Sequence, residues 1–140
     1  MKHLFIAALC LAGFMQVVAQ EPLKDWANFG RYKEANAAVQ QPVKAVFMGN
    51  SITDGWPSAD PDFFTKNGYV GRGIGGQVSA QMLMRFRQDV INLKPQAVVI
   101  LAGTNDLAHN DYAVTPEQTF DNVVSMVQLA QANGIKVILC

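Results

Sequence analysis

Three short segments of the chain carry the residue types that acyl transfer uses. Each one directly follows an apolar run, and together they supply a hydroxyl, a flexible stretch of backbone N–H groups and a carboxamide. A hydroxyl beside such donors can attack a carbonyl carbon while the donors bind the oxygen that becomes negative. The segments are Gly49-Asn50-Ser51, Gly73 to Gly76, and Gly103-Thr104-Asn105-Asp106.

Each segment also has a structural interpretation when it is taken alone. A serine directly after a strand, such as Ser51, is commonly a helix N-cap, and Asn105 could equally be a turn former. Residues 71–76 match the G-x-G-x-x-G pattern of dinucleotide-binding proteins. That pattern also requires an acidic residue about twenty positions later, and position 96 is Gln96. The dinucleotide interpretation therefore fails, and we expect no cofactor.

Apolar and amphipathic stretches alternate along the chain, which predicts strands that alternate with helices. Short apolar runs bounded by proline or glycine indicate buried parallel strands over residues 43–48, 69–74, 97–102 and 135–139. Apolar residues at helical spacing predict helices over residues 25–39, 78–91 and 116–132, whereas residues 50–68 should be mostly loop or broken helix. The pattern predicts a three-layer α/β domain with a parallel sheet, so the three segments should meet at one sheet edge.

Side-chain patterns refine these elements. The third helix should begin with a capping box at Thr115 to Gln118 and stop at Asn133-Gly134. The aromatic residues of the first helix are expected in the core: Trp26, Phe29 and Tyr32. The charged residues of the second helix are expected on its outer face: Arg85, Arg87 and Asp89. His109 lies in a polar loop and is expected at the surface, so we predict no metal site.

The three segments together resemble a known family. Residues 46–56 (VFMGNSITDGW) resemble the first sequence block of the SGNH (GDSL-type) hydrolases, with Asn50 where the family name has Asp. Residues 72–77 (RGIGGQ) are similar to the second block, and Gly103 to Asp106 (GTND) to the third. The order and spacing of the blocks agree, and the resemblance spans about residues 25 to 140. It implies an α/β/α sandwich with a parallel, flavodoxin-like sheet.

The resemblance also implies roles for individual residues. Ser51 would be the nucleophile, and its own backbone N–H would be one oxyanion donor. Gly76 would give a second backbone N–H, because glycine lets the main chain approach closely. The side-chain amide of Asn105 would be the third donor. The catalytic Asp and His of the family come from a D-x-x-H block near the C-terminus, which these 140 residues do not contain.

We therefore expect the natural protein to continue, with a C-terminal strand and helix missing here. The chain as given should be inactive on its own, because Ser51 without a base is an ordinary alcohol. His109 follows the wrong strand to take the place of the family's histidine. We expect no metal or cofactor in the reaction.

The start of the chain has the features of a secretory leader. A short basic start precedes an apolar run of about a dozen residues, and Val17 and Ala19 stand at the spacing that signal peptidase reads. This predicts a signal peptide over residues 1–19, a partial hydrolase domain over residues 20–140, and a secreted or periplasmic protein without stable membrane insertion after cleavage. The remaining thiol, Cys140, is expected to be buried at the end of a strand.

The composition limits the classes of partner that the protein is expected to bind. Eleven basic and eleven acidic residues balance, and 16% of the chain is charged, so nucleic acid is not expected as a partner. The resemblance implies a secreted serine esterase that hydrolyses short, acetyl-type esters of small molecules or glycans through a Ser51 acyl-enzyme. Two alternatives stay open: a lipolytic enzyme similar to lysophospholipases or platelet-activating-factor acetylhydrolases, and a non-catalytic binding protein on the same fold.

Overall fold

The computed structural model describes residues 24–109 and 114–140, so the predicted leader and its cleavage site lie outside the described residues. Within these ranges strands alternate with helices along the chain. The strands are β1 (Ala45–Gly49), β2 (Tyr69–Gly73), β3 (Ala97–Ile100) and β4 (Lys136–Leu139). The helices are α1 (Lys33–Ala37), α2 (Ser51–Ala59), α3 (Pro61–Asn67), α4 (Ser79–Asp89), α5 (Thr104–Leu107) and α6 (Pro116–Ala132), and a short 3-10 turn, Ile91–Leu93, follows α4.

The sheet is parallel and its strand order is β2-β1-β3-β4. This is the flavodoxin-like order of doubly wound folds. In the register, Gly49 of β1 lies opposite Gly73 of β2, and Met48 lies opposite Ile100 of β3. The carboxyl ends of these three strands therefore lie side by side, and the predicted parallel α/β/α sandwich is confirmed.

Helices cover both faces of the sheet, because successive strand residues point to opposite sides. On one face the strands pack with α4 and α6 around an apolar core: Val46, Met48, Val98, Ile100, Met82, Phe86 and Met126. On the other face Phe47 meets Trp56 of α2 and Phe64 of α3, with ring centroids 5.3 Å apart in both pairs. These ring contacts pack α2 and α3 against β1.

The start and the end of α6 are as predicted. The hydroxyl of Thr115 accepts the N–H of Gln118 at 3.2 Å, and the N–H of Thr115 donates to the Gln118 side chain at 3.0 Å. Pro116 takes the first helical position, where its missing N–H costs nothing. Gly134, with a φ of +70°, turns the chain from the helix toward β4.

The prediction of a helix over residues 25–39 is wrong for the first half of that range. The carboxylate of Asp25 accepts the N–H groups of Phe29 at 2.9 Å and Gly30 at 3.0 Å, which closes a local turn. Asn28 has a left-handed φ of 54°, and α1 begins only at residue 33. Phe29 is 38% exposed, so its predicted place in the core is also wrong.

Residues 50–68 form two helices instead of mostly loop, so only the broken-helix part of the prediction holds. Pro57 lies inside α2, and the helix ends at Ala59. The carboxylate of Asp60 then caps α3 by accepting the N–H of Phe63 at 3.2 Å, with Pro61 at the first helical position. Pro57 is thus accommodated inside α2, and the break between the helices lies at Asp60, directly before Pro61.

β4 is an edge strand of the described sheet. Ile138 and Leu139 are 53% and 56% exposed. Cys140 is exposed too, which makes the prediction of a buried thiol wrong. Its N–H donates to the carbonyl of Ile100 at 3.0 Å, but within residues 24–109 and 114–140 no further strand covers the outer side of β4.

Candidate active site

Ser51 is the first residue of α2 and lies directly beyond the carboxyl end of β1. The preceding residue, Asn50, is 2% exposed and caps the helix, because its side-chain oxygen accepts the N–H of Ile52 at 3.2 Å. Its side-chain nitrogen donates to the hydroxyl of Thr104 at 2.7 Å. One buried amide therefore fixes the backbone before Ser51 and ties the end of β1 to the loop after β3. The side chain of Ser51 itself is exposed.

Glycines at the strand ends let α2 lie directly on the sheet. A Cβ atom at Gly73 would come within 2.1 Å of the backbone nitrogen of Asp54, and one at Gly49 within 2.1 Å of the Thr53 hydroxyl. A Cβ atom at Gly71 would come within 2.4 Å of the Pro57 ring. Contacts this short exclude any side chain at these positions, so the glycines set how closely the start of α2 approaches the sheet.

The glycine-rich loop after β2 lies beside Ser51. A Cβ atom at Gly75 would be 3.9 Å from the Cβ of Ser51, and the Gly75 N–H donates to the carboxylate of Asp54 at 3.0 Å. The N–H of Ile74 donates to the carbonyl of Gly49 at 3.0 Å, which fixes the loop against the end of β1. Gly76 has a φ of +78°, a conformation that favours glycine.

The segment after β3 forms the short helix α5 and is held from two sides. The side-chain nitrogen of Asn105 donates to the carbonyl of Gln77 at 2.9 Å. The fully buried carboxylate of Asp106 accepts the N–H of Ser79 at 2.9 and 3.0 Å and its hydroxyl at 2.5 Å. The Ser79 hydroxyl also accepts from Asn122 of α6 at 3.0 Å. Asp106 thus binds this segment to the N-terminus of α4.

The structure brings the three predicted segments to one edge of the sheet. The first segment is linked to the third by the bond from Asn50 to Thr104, and to the second by the bond from the Ile74 N–H to the Gly49 carbonyl. The third is linked to the end of the second by the bond from Asn105 to Gln77, the residue directly after Gly76. In the described part of the chain, neither the N–H of Ser51 nor that of Gly76 donates to a protein acceptor. The positive end of the α2 dipole lies at Ser51. This edge is therefore suited to bind an anionic oxygen.

The structure brings no acid–base partner to Ser51 within residues 24–109 and 114–140. No hydrogen bond there joins the Ser51 hydroxyl to an imidazole or a carboxylate. His109 is exposed, as predicted, and follows α5 with a left-handed φ of 53°. The nearby carboxylate of Asp54 accepts from Gly75 and pairs with Arg31 at 3.4 Å.

Sequence reasoning missed a buried charged network behind this edge. Arg85 and Asp89, both expected on the outer face of the helix, are fully buried and pair at 2.9 Å, whereas Arg87 is exposed as predicted. The spacing held the signal, because residues 85 and 89 lie on the same helix face as the core residues Met82 and Phe86. Burial lowers the pKa of the Arg85 guanidinium, and the hydrogen bond with Asp89 opposes that shift.

A second buried arginine fixes the loop from the side of α1. The guanidinium of Arg72 lies 4.7 Å from the centre of the Tyr32 ring and donates to the Asn36 side chain at 2.7 Å. Burial lowers the pKa of Arg72. The hydroxyl of Tyr32 donates to the carbonyl of Gly73, at the end of β2. The segment before β1 thus holds the strand that leads into the glycine-rich loop.

Two hollows lie beside the candidate site, at the carboxyl-terminal edge of the sheet. One of about 200 Å³ lies beside the glycine-rich loop, and the other, of about 360 Å³, is mostly apolar and lies beside α5. The lining of the first includes Asp25, Trp26, Gly75 and Gly76. The lining of the second includes Ala102, Leu107, Phe120, Val123 and Leu139. A hollow of about 620 Å³ lies at the opposite, amino-terminal edge of the sheet, away from Ser51.

Within residues 24–109 and 114–140, no three side chains of the His, Cys, Asp and Glu types cluster in a way that could hold a metal ion. No helix in those ranges has both the length and the apolar character needed to cross a membrane.

A parallel sheet of this order, with a serine that starts the helix after its first strand, is the arrangement that the resemblance to the SGNH hydrolases implies. A family model described as the GDSL-like lipase/acylhydrolase family matches residues 47–140. The chain belongs to this family.

Solved structures agree with this assignment. A protein from Bacteroides fragilis NCTC 9343, named as a candidate acylhydrolase, has 60% sequence identity and a TM-score of 0.80, and the match covers 83% of this chain and 58% of that one. A GDSL-like lipase from Bacteroides thetaiotaomicron VPI-5482 has 59% identity and a TM-score of 0.77, with 81% and 57% covered. The chain thus spans less than two thirds of either structure.

More distant relatives are also similar. An acetyl xylan esterase, AlAXEase, has 27% identity and a TM-score of 0.60, and the match covers 70% of this chain and 58% of that one. An uncharacterized lipoprotein of Bacillus subtilis (strain 168) is 36% identical over 70 residues, which is 48% of this chain and 29% of the lipoprotein.

Proposed function

We propose that the full-length protein is a secreted serine esterase that removes short, acetyl-type acyl groups from small-molecule or glycan esters. The observation that carries this proposal is the position of Ser51 at the start of α2, beside the glycine-rich loop, where a Cβ atom at Gly75 would be 3.9 Å from the Cβ of Ser51. Membership of the GDSL-like lipase/acylhydrolase family supports a carbonyl substrate. The leader-like sequence of residues 1–19 supports export of a domain that begins near residue 20.

The reaction would proceed through an acyl-enzyme. The oxygen of Ser51 attacks the ester carbonyl carbon while a general base takes the hydroxyl proton, and the carbonyl oxygen becomes negative. The C–O bond to the alcohol then breaks, and the proton goes to the leaving alkoxide. Water attacks the acyl group next, releases the carboxylic acid and restores the Ser51 hydroxyl. We assign the base to a histidine that the described residues do not supply.

The negative oxygen would be bound by three donors. Two of them would be the N–H groups of Ser51 and Gly76. Their role as donors is supported because neither has a protein acceptor in residues 24–109 and 114–140. The third donor would be the side-chain amide of Asn105. Its bond to the Gln77 carbonyl would set the plane of the amide. Removal of one such donor should raise the barrier by about 3 kcal/mol.

Two observations favour a short acyl group. The hollow beside Gly75 and Gly76 is small, at about 200 Å³, and a structurally similar protein is an acetyl xylan esterase. One observation favours the lipolytic alternative, because the apolar hollow of about 360 Å³ beside α5 has the lining that a longer chain needs. The two substrate classes differ in acyl length, so a length series separates them.

The test uses the full-length protein and p-nitrophenyl esters from acetate to dodecanoate. We expect kcat/KM to be highest for acetate and to fall with chain length. A maximum at eight carbons or more would overturn the acetyl proposal in favour of the lipolytic one. Ser51→Ala is the control and should lower kcat by more than about a thousandfold. Absence of hydrolysis by the folded wild type would favour the non-catalytic binding protein.

A further inference from the structure

The buried guanidinium of Arg85 contacts two parts of the candidate site at once. Its Nε donates to the side-chain oxygen of Gln77 at 2.6 Å, and one terminal nitrogen donates to the carbonyl of Gly49 at 3.2 Å. The other terminal nitrogen pairs with Asp89 at 2.9 Å. Arg85 and Asp89 are both fully buried. All three donor nitrogens of one planar group are therefore used inside the protein.

The contact of Arg85 with the Gly49 carbonyl fixes the backbone close to Ser51. Gly49 ends β1 and lies two residues before Ser51. Its carbonyl accepts from Arg85 and also from the N–H of Ile74, at 3.0 Å, in the glycine-rich loop. The guanidinium thus shares an acceptor with the loop that lies beside the serine.

The contact of Arg85 with Gln77 fixes a residue that adjoins two of the proposed oxyanion donors, Gly76 and Asn105. Gln77 directly follows Gly76, and its backbone carbonyl accepts from the side chain of Asn105 at 2.9 Å. Its side-chain oxygen faces Arg85, while its side-chain nitrogen donates to the carbonyl of Ala27 at 2.9 Å. The Gln77 side chain is thereby fixed at both ends. The position of one guanidinium is therefore linked to all three segments of the site.

Stability alone is a weak reason for this arrangement. A buried ion pair can often be replaced by apolar side chains of similar volume without loss of stability, because desolvation of the charges offsets their attraction. A guanidinium adds a planar fork that fixes the direction of several acceptors at once, which an apolar side chain or an ammonium cannot do. Asp89 balances its charge and is itself held by the side chain of Asn36 at 2.7 Å.

We propose that Arg85 is a positioning residue for the esterase site, which sets the distance between the Ser51 loop and the oxyanion donors. This role rests on the proposed function. It predicts that loss of the fork slows the chemical step while substrate binding is nearly unchanged, because small displacements of reacting groups cost rate more than affinity.

The test compares the variant Arg85→Lys with wild type in the full-length protein. A fluorophosphonate probe that labels Ser51 counts the competent sites, so that partial unfolding does not affect the rate per site. We expect Arg85→Lys to lower kcat per labelled site by between about ten- and a hundredfold, with KM nearly unchanged. The matched control is Met126→Ala, a fully buried core residue on α6. It should lower the melting temperature and leave kcat per labelled site unchanged.

A second variant keeps the proposal testable if Arg85→Lys does not fold. Gln77→Met retains the arginine and removes its acceptor, and it should lower kcat per labelled site in the same way. An unchanged kcat per labelled site in the folded variant would overturn the positioning role, as would an equal loss in Met126→Ala. Failure of the probe to label Ser51 in the wild type would instead contradict the proposed function itself, and the positioning role with it.

Discussion

At the scale of single residues, the site depends on side chains that serve two elements at once. Asn50 accepts from the backbone of α2 with its oxygen and donates to Thr104 with its nitrogen. Asp106 likewise binds α5 to the N-terminus of α4 through both carboxylate oxygens. Both groups are buried, and a buried polar group that loses its partner lowers the stability of the fold by about 1–3 kcal/mol. Their hydrogen bonds therefore hold the loops in fixed positions.

Asn50 gives a direct test of this idea, because the family name has Asp at its position. In Asn50→Asp, one carboxylate oxygen can still accept from Ile52, and the Thr104 hydroxyl can rotate to donate to the other. In Asn50→Ala both bonds are lost. We therefore expect Asn50→Asp to keep most of the wild-type kcat, and Asn50→Ala to lose about 1–2 kcal/mol of stability together with activity. Urea unfolding and ester hydrolysis by the full-length protein measure both effects. Equal behaviour of the two variants would contradict the shared role of the amide.

At the scale of elements, the segment before β1 supports the glycine-rich loop. Tyr32 donates its hydroxyl hydrogen to the carbonyl of Gly73, where β2 ends. Burial raises the pKa of Tyr32 above its ordinary value of 10.0, and the negative charge of Asp54 raises it further. The hydrogen bond requires the neutral phenol, so its contribution to stability is tied to this titration.

Tyr32→Phe should reduce the free energy of unfolding by about 1 kcal/mol at neutral pH, because the hydrogen bond is removed. The folded-state pKa is the higher one, so the contribution of Tyr32 is fully present below about pH 10. It is lost as the pH rises through the folded pKa. The difference in unfolding free energy between wild type and variant should therefore be constant up to about pH 10 and shrink above it. Urea unfolding at several pH values measures this, and a difference that grows with pH would count against the assignment.

The elements also show what the sequence could predict. The four strands and α6 were predictable because their apolar periodicity, prolines and glycines are local signals. The turn at Asp25 was missed because an Asp side chain is compatible with a turn as well as with a helix. The helices α2 and α3 were missed because proline residues usually indicate a loop, although a helix can contain or begin with one. Tertiary packing decides between the alternatives, as in the contact of Phe47 with Trp56 and Phe64.

At the scale of the whole molecule, the parallel sheet brings together residues that lie far apart in the sequence. The three segments of the candidate site were predictable because parallel strands place their carboxyl ends at one edge. The burial of Arg85 was not, since it depends on acceptors from other parts of the fold, the carbonyl of Gly49 and the side chain of Gln77. Local patterns predict where a loop lies, and distant partners decide which charged residue can be buried behind it.

The assignment of Ser51 as the nucleophile is tested most directly by trapping the acyl-enzyme. The full-length protein is mixed with p-nitrophenyl acetate, quenched in acid within the first turnover, digested and analysed by mass spectrometry. We predict one acetyl group on the peptide that contains Ser51, in an amount that matches the burst of nitrophenol, and no such adduct in Ser51→Ala. Acetylation of a different residue, or wild-type hydrolysis by Ser51→Ala, would contradict the assignment.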